Sequence, residues 1–207
     1  MTILDFKHLV LAELPGNADN LVELHMVEAV KDMCRKTFAY TEILTIPTVI
    51  DQHSYALAST IANTKFVSFI GGTYDGKDLD ITDIAELEAC DSSWKTSTGT
   101  PIAFVYTSGG NSVRVYRIPK EIKTMTIEIA IMPLKIISEL PEVIENNYIE
   151  GIKNYVKWKV YSSDPINDPV RAREFRVDYE NDRDNLKREV LTNFQSEDLV
   201  QYGGWEA

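Results

Sequence analysis

The sequence predicts an α+β protein: a helical bundle built from one long N-terminal helix and two C-terminal helices, an inserted antiparallel β-domain, and a C-terminal arm. Three observations carry this expectation. Apolar residues recur at helical spacing near the start of the chain and again toward its end. Between those stretches lie short runs of β-branched and aromatic residues, separated by turn residues. The last residues, 196–207, are acidic and contain glycine, with the run Tyr202-Gly203-Gly204-Trp205 near their end. The expected division is therefore 1–42 with 136–195 for the bundle, 43–135 for the β-domain and 196–207 for an extended arm.

The elements follow in order. Residues 1–14 are apolar-rich and stop at Leu14-Pro15-Gly16-Asn17, which reads as a short helix or arm before a turn. From Asn20 to Tyr40, Val22, Met26, Ala29 and Met33 form one stripe and Val27, Val30, Cys34 and Phe38 its neighbour. Glu23, Glu28, Lys31, Asp32 and Lys36 occupy the other face. The period changes near Ile43, and Pro47 confines the run Ile43–Ile50 to a sheet edge or a bulge. Strand signals recur at Ser54–Leu57, Phe66–Ile70, Ile102–Tyr106, Val113–Ile118 and Met125–Ile131. Residues 107–112 supply a turn that joins two of these runs into a hairpin. Helical spacing returns over Glu142–Tyr161, with Val143, Ile149, Ile152, Val156 and Val160 on one side. After the turn-rich stretch 164–169, Val170–Phe194 reads as a highly charged helix anchored by Val177, Leu186, Val190 and Leu191.

A net charge of −11, from 21 Lys and Arg against 32 Asp and Glu, argues against broad gripping of nucleic-acid phosphates. Two cysteines, Cys34 and Cys90, are too few for a disulfide scaffold and lack zinc-ligand spacing. The N-terminus shows no secretory signal pattern, and no apolar run is long enough for a membrane helix.

Candidate sites are few. The run Asp75–Asp83 crowds carboxylates, but its glycine stands where a calcium loop does not want it, so it reads as a hairpin turn. A hydrolase using Asp75, Asp78 or Asp80 would need carboxylates in separate environments, and these share one wet stretch. His8, His25 and His53 are scattered. Gly71–Gly76 lacks the patterns that cradle phosphates and reads as a loop tip. No catalytic, cofactor-binding or metal-ligating residue is expected. Tyr74, Asp75 and Lys77 at that tip are expected to touch a neighbouring molecule, and Leu199, Val200, Tyr202 and Trp205 of the arm to dock on another chain.

The order of parts resembles the head–tail adaptor proteins of tailed bacteriophages, the group that includes the podovirus tail tubular protein A. The resemblance rests on the long helix ending in Phe38 and Tyr40, on Ser54-Tyr55-Ala56-Leu57, and on Trp94 with Gly99-Thr100-Pro101 leading into a hairpin closed by Ile118-Pro119. Leu140-Pro141-Glu142 before a helix with Tyr148, Tyr155 and Trp158, then Asp168-Pro169 before a charged helix and Tyr202-Gly203-Gly204, complete it. The resemblance implies a homododecameric ring at the head–tail junction of the virion, made in the bacterial host cytoplasm, and in this reading Glu142–Tyr161 and Val170–Phe194 make the ring contacts while the arm reaches the portal. Its implied partners are the portal protein and a nozzle-type tail or ring protein, with DNA passing through the lumen and no membrane involved. A second reading is a carbohydrate-binding β-domain on a helical stem, using Tyr74, Trp94 and Tyr106 as exposed stacking rings.

Overall fold

A computed structural model describes residues 1–14, 19–106, 110–163 and 166–201, with side chains described up to Leu191 and Thr192 in the last helix. The chain divides into a helical unit, Met1–Tyr40 with the chain from Met132 onward, and a β unit, Thr41–Ile131.

In the helical unit, Ile3–Phe6 forms a 3-10 turn that runs into α1 (Lys7–Leu11). Ile3, Phe6, Val10 and Leu14 are buried, while backbone bonds from Ile3 to Ser138 and from Leu140 to Met1 tie this start to the residues before the C-terminal helices. The long helix α2 spans Asp19–Thr37 and buries both apolar stripes completely or nearly so, from Val22 to Cys34. It stops one residue short of Phe38. That residue adopts φ +56°, and Thr37 Oγ1 donates to the Met33 carbonyl and accepts from the Ala39 N–H. A left-handed residue leaves the helical stripe, so Phe38 stands 38% exposed instead of completing it.

The stretch expected as one helix from Glu142 is two: α4 (Glu142–Asn147) and α5 (Ile149–Tyr161). Tyr148 breaks the run at φ −128°, following two asparagines of poor helix propensity, and its hydroxyl is held 2.7 Å from Glu189. The buried side therefore runs through Ile144, Ile152, Tyr155, Val156 and Val160, while Val143 and Ile149 are half-exposed. Helix α6 begins with Pro169, suited to a first turn, and Asp168 Oδ1 accepts from the Arg171 N–H. It packs along α5 and α2. Its buried residues are Ala172, Tyr179, Leu186 and Val190, whereas Val177 and Leu191 are about half exposed. The helix extends to Gln201, so residues 196–201 have helical rather than extended backbone, because the helix runs on past Phe194.

The β unit holds two four-stranded sheets. The first has the order β1 (Thr41–Pro47), β10 (Thr124–Pro133), β3 (Thr64–Tyr74) and β4 (Lys77–Asp78). Pro47 lies on its edge strand, as the missing N–H requires, and β10 is central and buries Met125, Ile127, Ile129, Ala130 and Ile131. The second has the order β2 (Ser54–Ala56), β8 (Ser112–Tyr116), β7 (Ala103–Tyr106) and β5 (Asp80–Thr82). Its β7–β8 hairpin pairs Tyr106 with Val113, and Val113 and Val115 are buried while Arg114 is exposed. The turn expected at 107–112 lies partly outside the described residues. A short pair, β6 (Thr98–Gly99) with β9 (Ile118–Pro119), completes the unit.

Two features depart from a purely antiparallel domain. The β5–β7 and β6–β9 pairs are parallel, since longer connections return the chain in the same direction. Helix α3 (Ile84–Cys90) fills the first of these connections, capped by Asp83, whose Oδ1 accepts from the Glu86 N–H at 2.7 Å. Gly71 and Gly72 belong to β3, not to a loop tip. A Cβ at Gly72 would lie 2.2 Å from the Thr126 carbonyl oxygen, so the bare backbone is what lets the strands approach. The turn itself is Asp75-Gly76, at φ +53° and +75°, as a two-residue type I′ hairpin demands.

Candidate protein-interaction surfaces

On the helical unit, spacing along α5 and α6 gathers aromatic rings and cations on one patch. Tyr155 and Trp158 lie three residues apart on α5, with centroids 5.3 Å apart and planes at 78°. Tyr179 of α6 meets Tyr155 edge-on at 4.9 Å and stacks with Trp158 at 6.3 Å, while Tyr161 stacks on Phe175 at 5.5 Å. Cations cover the rings: Lys159 lies 4.3 Å from the Trp158 centroid and Arg176 5.4 Å from it. Arg171 lies over Tyr161, Lys157 over Phe175 and Arg183 over Tyr179.

The inner edge of this patch is rigid. Tyr179 is 1% exposed and donates to Asp32 Oδ2 at 2.6 Å, and burial pushes its phenol far above the ordinary tyrosine range. Burial likewise pushes Tyr155 up to about 12. Both phenols therefore stay neutral, and that of Tyr179 is held by its bond to Asp32. The outer edge, with Trp158 half-buried under two cations, offers flat apolar surface, and the arginines beside it already hold carboxylates, Arg176 with Glu180 at 2.9 Å and Arg171 with Asp168 at 3.7 Å. Among the described residues Lys159 makes no ion pair, so its charge is available to a partner. An aromatic surface under cations is what protein interfaces favour at their centres.

On the β unit, the hairpin tip places Asp75 and Lys77 in solvent, with Asp75 3.3 Å from the Lys123 ammonium. Tyr74 is 5% exposed and belongs to the core, so the three expected tip residues are not one surface. Trp94, also 5% exposed, packs with Leu87, Val105 and Tyr116, and Tyr106 lies half-buried 5.4 Å from Phe69. The expected exposed stacking platform of Tyr74, Trp94 and Tyr106 is thus corrected: Tyr74 is buried at the end of β3, and the turn after α3 packs Trp94 against Leu87 and Val105. Leu199 and Val200 fall on α6 backbone with side chains outside the described residues, as are Tyr202 and Trp205 entirely.

Catalytic chemistry finds little purchase. Cys34 is fully buried and its thiol is pushed well up by desolvation. His25 pairs with Glu28 at 2.9 Å and His8 with the Asp5 carbonyl at 2.9 Å. Among the described residues, no group of three or more His, Cys, Asp or Glu is placed to hold a metal. No helix among them is long and apolar enough to cross a membrane.

Sequence reasoning gave the contacts between copies to the helices Glu142–Tyr161 and Val170–Phe194 as wholes, and did not single out these rings. The signal was present in Tyr155, Trp158 and Lys159 at helical spacing, but its α6 half required knowing which face of a highly charged helix packs inward.

The sequence model of the SU10 adaptor protein family matches residues 1–199, so the chain belongs to that family. No curated protein matches the chain. The family is one of phage structural adaptors and not of enzymes, which makes the chain a virion component with an adaptor role and other phage structural proteins as its partners.

Proposed function

We propose that this adaptor assembles into a homo-oligomeric ring, a dodecamer, between the portal and the tail, through which DNA passes. The observation that supports this best is the cation-covered aromatic patch of α5 and α6, which offers a neighbouring copy aromatic surface and the charge of Lys159, unpaired among the described residues. In this reading α5 and α6 make the ring contacts, and each contact buries at least about 1,000 Å². The arm with Leu199, Val200, Tyr202 and Trp205 reaches the portal, and the tip residues Asp75 and Lys77 meet the next ring or a nozzle-type tail protein. A chain of net charge −11 repels DNA, so a lumen formed from it lets the genome slide without being held.

Mass photometry and negative-stain imaging of the protein, alone and mixed with the portal protein of its phage, test this reading. Rings or a portal-capped complex are expected, and Trp158→Ala with Arg176→Ala should abolish them while the isolated subunit stays folded. Deleting residues 196–207 should weaken portal binding without unfolding the subunit. A chain that stays monomeric with the portal at assembly concentrations would overturn the reading.

A further inference from the structure

The β unit contains a pocket of about 210 Å³ lined by His53, Trp94, Lys95, Arg114, Val115 and Ile118. Three of these side chains can carry positive charge, three are largely apolar, and none is a carboxylate. That lining is unusual for a chain with eleven more acidic than basic side chains.

Two further observations point to a missing partner. Among the described residues, the Trp94 indole N–H is the buried side-chain polar atom that lacks a hydrogen-bond partner. Buried donors are nearly always paired, and one left alone asks for an acceptor. Arg114 is exposed on β8 and makes no ion pair or side-chain hydrogen bond among the described residues, so its guanidinium is uncommitted. Lys95 is partly committed, 3.2 Å from Glu88 and 5.4 Å from the Trp94 centroid. The Asp91 carboxylate is occupied by Ser93, Ser97 and the Tyr116 hydroxyl, and does not serve the indole.

The site is also built, not incidental. Its walls come from three places in the chain: the backbone bond from Val115 N–H to the His53 carbonyl joins two of them at 2.9 Å. The Trp94 ring is held in the cluster of Leu87 and Val105.

From the positive charge of Lys95 and Arg114 and the apolar remainder, we propose that this pocket receives an acidic peptide segment of a partner protein, one carboxylate meeting Arg114 while an adjacent apolar residue lies on Val115 and Ile118. A free inorganic anion would use the charge but leave the apolar half of the lining without a partner. The proposal concerns the β unit and stands apart from ring formation by the helices.

The test uses the full chain with ¹⁵N-labelled tryptophan, the Trp94 indole signal being assigned by Trp94→Phe. The probes are a short capped peptide alternating Glu and Leu, its Gln/Leu counterpart, and inorganic phosphate. The acidic peptide is expected to shift the Trp94 signal saturably. Arg114→Gln, an exposed position, should weaken this at least about tenfold, and added salt should weaken it further. Equal binding of the Gln/Leu peptide would overturn the proposal, as would binding unchanged by Arg114→Gln. A Trp94 shift with phosphate and none with the acidic peptide would also overturn it, reassigning the pocket to a free anion. Subunits that form rings yet show no acidic-peptide binding would refute this inference alone.

Discussion

Asp182 in the helical unit and Asp91 in the β unit are the same side chain under opposite conditions. Asp182 lies on α6 close against Gly151 of α5 and accepts one long hydrogen bond, 3.4 Å from Asn154 Nδ2. Desolvation raises its pKa, and Asp178 and Glu150 push the same way. Asp91 accepts from the Ser93 N–H and hydroxyl, from Ser97 and from Tyr116, all at 2.7–2.9 Å, and these bonds pull its carboxyl down to about 2. The helical unit is held by apolar packing firm enough to keep a poorly solvated carboxylate in place. The β unit, with shorter elements, secures its connections by hydrogen-bonded polar cages. Glu42 gathers Ser59 and Thr60, and Thr48 bridges to the Glu121 and Lys123 carbonyls.

If packing dominates the helical unit, deleting buried methyl groups there should produce the largest loss. Ile152→Ala, at a position with no exposure, is expected to cost about 2–5 kcal/mol in urea unfolding. Val177→Ala on an exposed face should stay within about 0.5 kcal/mol. In a Trp205→Phe background, Trp158 and Trp94 fluorescence report the two units separately, and the Ile152→Ala loss should appear first at Trp158.

Two glycines sharpen the contrast at the next level. Gly72→Ala would drive a methyl into the Thr126 carbonyl of a strand that cannot yield, and should cost about 1–3 kcal/mol, reported by Trp94. Gly151→Ala meets Met33 Cε at 2.6 Å, the flexible end of a long side chain, and Asp182 Cβ at 3.1 Å, which must give by a few tenths of an ångström, against a gain of about 1 kcal/mol of helix propensity. Its net change should be near zero, and a loss as large as that of Gly72→Ala would show that the helical core is no more adaptable than the sheet.

Smaller again, Tyr179→Phe removes the 2.6 Å bond to Asp32, which keeps its 3.0 Å contact with Lys36, so about 1–2 kcal/mol should be lost in denaturant titration.

The two aspartates make the finest test, because their signs differ. Asp91 binds its proton more weakly folded than unfolded, so its contribution is present above the unfolded carboxylate range and fades as pH falls toward about 2. Asp91→Asn should lower the urea midpoint at pH 7 and lose that effect in acid. Asp182 binds its proton more strongly when folded, so its ionisation weakens the fold as pH rises through its raised pKa. Asp182→Asn should raise the midpoint at pH 7 and change nothing below the ordinary aspartate range. Equal signs at pH 7 would break the comparison.

Much of the helical unit was legible beforehand because a 3.6-residue period is local information. Val22, Met26, Ala29 and Met33 declare their face without help from the rest of the chain, and all four are fully buried. Period failed on α6, where charged residues fill most positions. There burial selected Ala172 and Tyr179, a small residue and a phenol, over Val177 and Leu191, because the facing helices left room at those positions and Asp32 supplied an acceptor for the hydroxyl. The Asp83–Glu86 pair was a readable start signal for α3, masked by reading the aspartates before it as a hairpin turn.

Local chemistry in the sequence thus determined the α+β class, the Asp75-Gly76 turn, the edge position of Pro47 and the long first helix. Each depends on a dihedral, a missing donor or a short-range period. Tertiary structure alone decided that Tyr148 splits a helix, that β5 and β7 run parallel, that Tyr74 and Trp94 face inward, and that rings of α5 meet cations of α6. Those outcomes turn on which residues far apart in the chain compete for the same buried space, and no local pattern records that competition.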